Sequence, residues 1–456
     1  MFVNRKVEIS RLRHTLALGK AQLIVIYGRR RCGKSTMLKH IMDKNMIYFS
    51  ADMNDTPVQI RAFAEQVERT LPGFAAPVYP DWNSLFRSLD RSLKERITVC
   101  IDEFPYLVKN SPGLPSVLQN IHDDEAHNNF HLILCGSSQT MMQDIVLNSK
   151  APLYGRAGEI MKIGPMTPYY LMEYLGTTAS EAVSEYSIWG GVPRYWEIRK
   201  SSGSLDSALR QHVINQYGLL AEEPERLFSD EIRTSVQVYT LLTLIGSGCH
   251  RISEIAGRMG KPATHLSGVL GFLTDLKYIR REIPFGEDFR STKKSLYKID
   301  DPFLNFWFNF VVPAKSSIDL GLTSQVMKRI NSRLPLFISF AWENMCRQSL
   351  PFLIKKLEFG PASRWWGKDV DGNALEIDII SESADKKTLL IGEAKWTDKN
   401  DIKNEVKILT EKASRLTMTK GKELILALFL KNKTEIPSGD FLIFGPDDVV
   451  EASACF

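Results

Sequence analysis

Residues 28 to 35 read Gly28-Arg29-Arg30-Arg31-Cys32-Gly33-Lys34-Ser35, directly after the apolar run Leu23-Ile24-Val25-Ile26-Tyr27. The octet fits the phosphate-binding pattern G-x-x-x-x-G-K-[ST], and its context fits too: a β-branched strand, a glycine-bearing turn, then a helix predicted from Ser35 to Asp43. Backbone N–H groups of the loop and the helix N-terminus would wrap a phosphate. Lys34 is expected to reach the β- and γ-phosphates of ATP, and Ser35 to hold Mg²⁺.

Working outward, Thr98-Val99-Cys100-Ile101-Asp102-Glu103 is a strand-forming run that ends in two acids. Asp102 at the strand's C-terminal edge would hold Mg²⁺, usually through water, and Glu103 would polarise the attacking water as general base. The plainer reading is a buried strand that ends in solvated acids. A third strand, His131-Leu132-Ile133-Leu134-Cys135-Gly136, leads into Ser137-Ser138. Ser137 is placed to sense the γ-phosphate from the neighbouring strand.

The bulk composition narrows the class. A chain of 456 residues implies several domains, and 44% hydrophobic with 24% charged residues is ordinary for a globular protein. No apolar run approaches the roughly 20 residues needed to span a bilayer, so no membrane role is expected. Arg5, Lys6, Glu8 and Arg11 break up any signal-peptide layout. The six cysteines are scattered without C-x-x-C spacing and read as small buried hydrophobes of a reducing, cytoplasmic compartment. The eight histidines form no metal-spaced cluster. The net charge of +5 is concentrated in residues 251 to 300, which hold ten Lys/Arg against six Asp/Glu.

The chain divides by pattern. Residues 1 to 170 alternate strands, at 23–28, 46–51, 98–102, 131–136 and 159–164, with helices. That is an α/β order with a parallel sheet covered on both faces. Residues 171 to 235 are helical, broken by Gly190-Gly191-Val192-Pro193, and fit a small lid. Residues 236 to 300 give three helices and a hairpin, the order of a winged helix. Lys261, His265 and Ser267 lie at the start of its recognition helix, where they would meet DNA; a protein-contacting winged helix is the bland alternative. The aromatic run Pro302 to Phe310, in the 301–335 segment, reads as a packing helix rather than a base-stacking platform.

Residues 336 to 456 form a last α/β unit with a second set of acids. The strand Ala374 to Ile380 carries Glu376 and Asp378, and the strand Leu389 to Lys395 carries Glu393 and Lys395. Alternate residues of a strand share a face, so each pair points the same way. Asp378 and Glu393 with the helical Glu343 could bind one or two Mg²⁺ ions, while Lys395 orients water or neutralises the leaving charge. This is the manner of a restriction nuclease.

The Asn4-Arg5 opening with Glu8 and Leu12, the phosphate loop with its Arg30-Arg31 pair, Ile101-Asp102-Glu103, Tyr154-Gly155-Arg156 and Gly190-Gly191-Val192-Pro193 resemble the archaeal-type ATPases of the STAND class, within the AAA-related P-loop proteins. The last third, with Tyr297 to Trp307 and Glu393-Ala394-Lys395-Trp396, is similar to the nuclease-like domain that accompanies them. The resemblance covers essentially the whole chain. It implies an AAA-like parallel-sheet P-loop fold, a helical lid, a winged helix and a C-terminal fold of the PD-(D/E)xK type. It also implies ATP hydrolysis with Mg²⁺, nucleotide contacts by the whole loop from Gly28 to Thr36, and an approach of the Gly190 to Pro193 segment to the nucleotide. Asp378, Glu393 and Lys395 would be the nuclease core and Glu343 its helical acid. Cys32 replaces a small apolar residue more usual before the glycine. Arg156 is an arginine finger, in cis or in trans, or a structural ion pair.

Two further expectations differ in kind from an ATP-driven switch acting on DNA. One is a non-catalytic signalling scaffold that self-associates with nucleotide and keeps a vestigial nuclease fold. The other is a DNA-binding regulator, with steeply salt-dependent affinity.

Overall fold

The computed structural model describes residues 3–124, 128–231, 235–399, 401–433 and 441–455. The chain forms two compact units, Met1–Pro165 and Met166–Phe456.

The first unit is built on a five-stranded parallel sheet. Its strands are β1 (Leu23–Tyr27), β2 (Met46–Ser50), β3 (Ile97–Asp102), β4 (Phe130–Gly136) and β5 (Ala157–Lys162), in the order β2-β3-β4-β1-β5. The three inner strands, β3, β4 and β1, are buried almost throughout and mostly apolar because helices cover both faces, as parallel sheets require. Aromatic edges lock one face: Phe63 meets Phe49, Trp82 and Phe86 in edge-to-face contacts at 5.2–5.9 Å. Strand positions match the sequence expectation to within two residues, and the helix after the loop runs Lys34–Ile41. The order has a functional consequence. β4 lies between β1 and β3, so the residue after β4 stands between the phosphate loop and the two acids.

The second unit begins with helices Pro168–Leu175, Ala179–Trp189 and Pro193–Ser201. Helices Ser235–Gly246, Ile252–Met259 and Ala263–Asp275 are followed by an antiparallel pair, β6 (Ile279–Glu282) and β7 (Leu296–Ile299). The aromatic run is buried at Phe303, Phe306, Trp307, Phe308 and Phe310, as a packing element should be. A 31-residue helix, Thr323–Leu353, runs straight through the boundary expected at 335/336, with Pro335 inside it. The C-terminal sheet is mixed, β12-β11-β10-β9-β8, from β8 (Ser363–Lys368), β9 (Ala374–Glu382), β10 (Thr388–Lys395), β11 (Glu423–Leu430) and β12 (Phe441–Phe444). β9 is antiparallel to β8 and β10, whereas β10, β11 and β12 are parallel.

One packing result was not legible in the order of segments. Ala179 and Val183 of the expected lid lie in the same apolar cluster as Trp342, Ile379, Leu390 and Phe429. The helices that follow the first unit therefore share a core with the C-terminal sheet.

Candidate functional site

The phosphate loop is held by three devices. Gly28 has φ +145°, and a Cβ there would lie 2.1 Å from the Ile163 carbonyl oxygen, so this position admits only glycine. Gly33, at φ +86°, turns the chain into the helix. Arg5, buried, donates through Nη2 to the carbonyls of Cys32 (3.0 Å) and Gly164 (2.6 Å), while its Nη1 pairs with Glu8 at 2.8 Å. Lys34 is buried, and its Nζ donates to the carbonyls of Gly28 (2.8 Å) and Arg29 (3.1 Å), which keep the ammonium over the loop's mouth. Arg29 and Cys32 are buried, whereas Arg30, Arg31 and Thr36 lie at the surface.

The acids stand where the strand order puts them. Asp102 is buried at the end of β3 with the Ser35 hydroxyl close by, and it accepts hydrogen bonds from the Tyr48 hydroxyl (2.5 Å) and the Glu103 backbone N–H (2.9 Å). Burial pushes the Asp102 carboxyl up, but donors from Ser35, Tyr48, Cys135 and the backbone outweigh it and hold the group below the ordinary range. Burial in turn drives the Tyr48 phenol far up, and its bond to Asp102 adds to that. Glu103 sits in a left-handed conformation, φ 53°, at the head of helix Phe104–Asn110. The Ser137 hydroxyl, just past β4, donates to Glu103 Oε2 at 2.8 Å. Lys34, Ser35, Asp102, Glu103 and Ser137 thus share the C-terminal edge of one sheet, the usual ligand position in open α/β folds. Ser35 hydroxyl on Asp102 carboxylate is a hard-oxygen pair that fits Mg²⁺.

Arg156 is committed elsewhere. Its guanidinium forms a forked pair with Asp123 at 2.7–3.0 Å and donates to the Pro152 carbonyl.

In the second unit the predicted acids do come together. β9 and β10 pair from Leu389↔Glu382 to Gly392↔Ile379, so Asp378 and Glu393 face each other one step beyond the ladder. Asp378 accepts from the Ala394 backbone N–H at 3.1 Å, where that ladder ends. Glu393 is buried between Lys412 (2.6 Å) and Lys395 (3.3 Å). Glu343, one helical turn before Arg347, lies 3.8 Å from that guanidinium. Burial and the Asp378 charge push the Glu343 carboxyl up to about 7. The same two causes raise Glu393 despite its lysines. Burial would lower Lys395, but the charges of Glu393, Glu405 and Asp378 hold it above its usual value. Carboxylates pressed against one another suit a divalent cation in chemistry. Among the described residues, however, no three His, Cys, Asp or Glu side chains are gathered as a finished ligand set. Glu376, on the same face as Asp378 by alternation, is exposed and instead pairs with Arg364.

Four participants escaped the sequence reading: Arg5, Tyr48, Arg347 and Lys412. Each reaches its site from a distant segment. Only the Arg5 position carried a signal, as part of the opening motif.

The comparisons agree with this geometry. The first unit has the fold of P-loop ATPases. It shares that fold with a Walker-type ATPase of Pyrococcus abyssi, a structure that is 19% identical with a TM-score of 0.53, covering 67% of this chain and 96% of the other. Residues 2–197 match the family described as an ATPase domain predominantly from Archaea, and residues 307–408 match archaeal and bacterial proteins of unknown function. An uncharacterized protein of Methanocaldococcus jannaschii is 31% identical over 98% of this chain and 100% of its own length. An uncharacterized ATP-binding protein of the same organism is 45% identical over 47 residues, 10% of this chain and 80% of that one. The chain belongs to this family of archaeal ATPases, and in this chain the ATPase domain precedes a second, mixed-sheet domain. Among the described residues no helix is long and apolar enough to cross a membrane.

Proposed function

We propose that this protein is a Mg²⁺-dependent, ATP-hydrolysing switch of the STAND type, acting in the cytoplasm, whose second unit carries a nuclease-like site directed at DNA. The observation that carries the first half is the meeting of Lys34, Ser35, Asp102, Glu103 and Ser137 at one sheet edge. Lys34 would exchange its loop carbonyls for the β- and γ-phosphates, a replacement of one set of acceptor oxygens by another. Ser35 and Asp102 would hold Mg²⁺, which neutralises phosphate charge when bound. Glu103 would orient the attacking water once the Ser137 hydroxyl turns from it toward the γ-phosphate.

The second half draws on the convergence of Glu343, Asp378, Glu393 and Lys395. The carboxylates would hold the metal, and Lys395 would orient the nucleophile. The three helices and hairpin of residues 235–299 serve as the winged helix in this reading. Lys261, His265 and Ser267 stand exposed at the head of helix Ala263–Asp275, the recognition position.

One test covers both halves: ATP turnover and Mg²⁺-dependent DNA cleavage measured on the same purified protein. Lys34→Ala should abolish turnover, and Asp378→Ala should abolish cleavage. Unchanged turnover in the first would sink the ATPase assignment, and equal cleavage by wild type and the second would sink the nuclease.

One observation favours a second reading. Lys395 and Lys412 already neutralise Glu393, as in a site that no longer takes a cation. The protein would then be a scaffold that self-associates with ATP. Light scattering with and without ATP separates the two, since a scaffold grows in mass with nucleotide while cutting nothing.

A further inference from the structure

Beside the acids, in the second unit, lies a cleft of about 560 Å³ between the β6 strand, helix Thr323–Leu353 and β8. Its lining is unusual for the number of guanidinium groups: Arg280 and Arg281 from β6, Arg347 from the helix, and Arg364 from β8. A single carboxylate, Glu282, lines the cleft with them.

These arginines are fixed in place. Glu282 receives Arg280 at 2.8 Å, Lys298 at 3.1 Å and Arg364 at 3.8 Å. Arg280 also reaches Asp300 at 3.3 Å. Arg347, with 7% of its side chain exposed, donates through Nη1 to the Asp378 carbonyl at 2.9 Å. Arg281 donates to the carbonyls of Phe289 and Thr292. Two buried donors in this set, Arg281 Nε and Arg364 Nε, have no hydrogen-bond partner. Four carboxylates, Glu282, Asp300, Glu343 and Glu376, stand against the five cations Arg280, Arg281, Lys298, Arg347 and Arg364, which leaves a positive excess, and a buried donor without an acceptor is costly. Both facts call for an anion. The lining also has an apolar part, Pro351, Phe352, Phe359 and Pro361. A lining of that kind suits the sugar and base of a nucleotide better than a bare ion, and the volume lies in the range of small-ligand pockets. Planar guanidinium forks match phosphate oxygens in pairs.

We propose that this cleft is a second nucleotide-binding site, in which the arginines hold the phosphate of a nucleoside phosphate and the proline–phenylalanine wall takes its sugar and base. Arg347 spans the two sites. It lines the cleft, faces Glu343 and bonds the backbone of Asp378. A phosphate held there sits next to the acids. The binding claim stands on the cleft alone; the consequence that the bound phosphodiester feeds the acids rests on the hydrolytic reading above.

The test uses the full-length protein in EDTA, so that cleavage plays no part. One arm measures anisotropy of a fluorescein-labelled single-stranded oligodeoxynucleotide. The other measures binding of thymidine 5′-monophosphate by the shift of thermal unfolding. Gln348→Glu is the main variant, because Gln348 is exposed on the cleft wall and its replacement adds a negative charge while leaving every arginine bonded as it is. Arg364→Gln is the second variant, with far-ultraviolet circular dichroism and ATP binding at the unaltered phosphate loop as checks of folding. One added charge a few ångströms from the phosphate should weaken binding about fivefold for an exposed site. Loss in both arms supports a site for nucleotides in general. Loss with the oligonucleotide alone supports a site for a nucleic-acid strand, and loss with the mononucleotide alone a site for a free nucleotide. Failure of wild type to bind either probe, or binding by Gln348→Glu equal to wild type in both arms, overturns the proposal. If the oligonucleotide binds through the cleft but is not cut when Mg²⁺ is restored, the hydrolytic reading falls and the site stands.

Discussion

Asp102 with Glu103 at the end of β3, and Asp378 with Glu393 on the paired strands β9 and β10, are made of the same side chains, yet the carboxyls of Asp102 and Glu393 are pushed in opposite directions. Around Asp102 everything donates: Ser35, Tyr48, Cys135 and a backbone N–H keep the carboxylate charged before any ligand arrives. The Ser137 hydroxyl similarly occupies Glu103. Asp378 also takes a backbone N–H, from Ala394, but its charge together with burial pushes Glu343 and Glu393 toward their protonated forms. The difference lies in what each strand end faces. A phosphate loop brings hydroxyl and N–H donors, so its acid is satisfied at rest. In the second unit three elements each bring a carboxylate, and burial beside like charge raises two of them. Burial raises a carboxyl in both cases, and only the neighbours decide the sign.

The largest test of this contrast is Glu103→Gln. Removing the base while leaving the loop intact should cut ATP turnover by about 10²- to 10⁴-fold, with ATP binding retained in equilibrium dialysis. Turnover within a factor of a few of wild type would show that Glu103 is merely a solvated helix-start acid.

Next in size is Glu343→Gln. The folded-state carboxyl titrates near 7, above its unfolded value, so the folded protein keeps a proton that the unfolded chain has released. Its contribution therefore favours folding at low pH and fades as pH rises from about 4.5 through about 7, a loss of up to about 3 kcal/mol. Glu343→Gln in EDTA should flatten the stability profile across that window and be the more stable protein at pH 8. Parallel wild-type and variant curves in urea unfolding would remove the claim that this acid is strained.

Tyr48→Phe should act in the smaller range of one hydrogen bond, about 1 kcal/mol. Freed of that donor, Asp102 becomes the better metal ligand. The Mg²⁺ concentration for half-maximal ATP binding should drop about fivefold. A rise would mean that the phenol helps position the ion instead.

The smallest effect is expected from Arg156→Ala. Its partner Asp123 is 44% exposed, and pairs of that kind contribute about 0–1 kcal/mol. A melting temperature and turnover close to wild type fit the structural pair. A hundredfold loss of turnover in Arg156→Ala would restore the arginine finger.

Much of the first unit was legible because its signals are local. Strand, loop and helix follow one another within 20 residues at Leu23 to Ile41, and the apolar runs at 97–102 and 130–136 have no other use than buried parallel strands. The acids of the second unit were legible by alternation along single strands. Glu376 was not, because alternation gives a face and says nothing of the strand β8 that brings Arg364 against it. β8 itself, Ser363 to Lys368, has two adjacent tryptophans and no alternation to mark it, and its burial is intermediate throughout its first five residues. The boundary expected at 335/336 falls inside the helix Thr323–Leu353, which carries Pro335 in its interior.

The sequence alone determined the phosphate loop, the strand that ends in Asp102-Glu103, the alternating acids of β9 and β10, and the family to which these motifs belong. Those are patterns of short range, set by the pleat of a strand and the turn of a loop. Tertiary structure decided the rest: that β4 brings Ser137 to Glu103, that Tyr48 and Arg5 secure the loop and its acid, that the helices after residue 166 pack on the C-terminal sheet, and that four arginines from three elements share one cleft. Hydrogen bonds and charges act over a few ångströms in space, whatever the separation along the chain, and the neighbours that set each acid's charge are brought there only by packing.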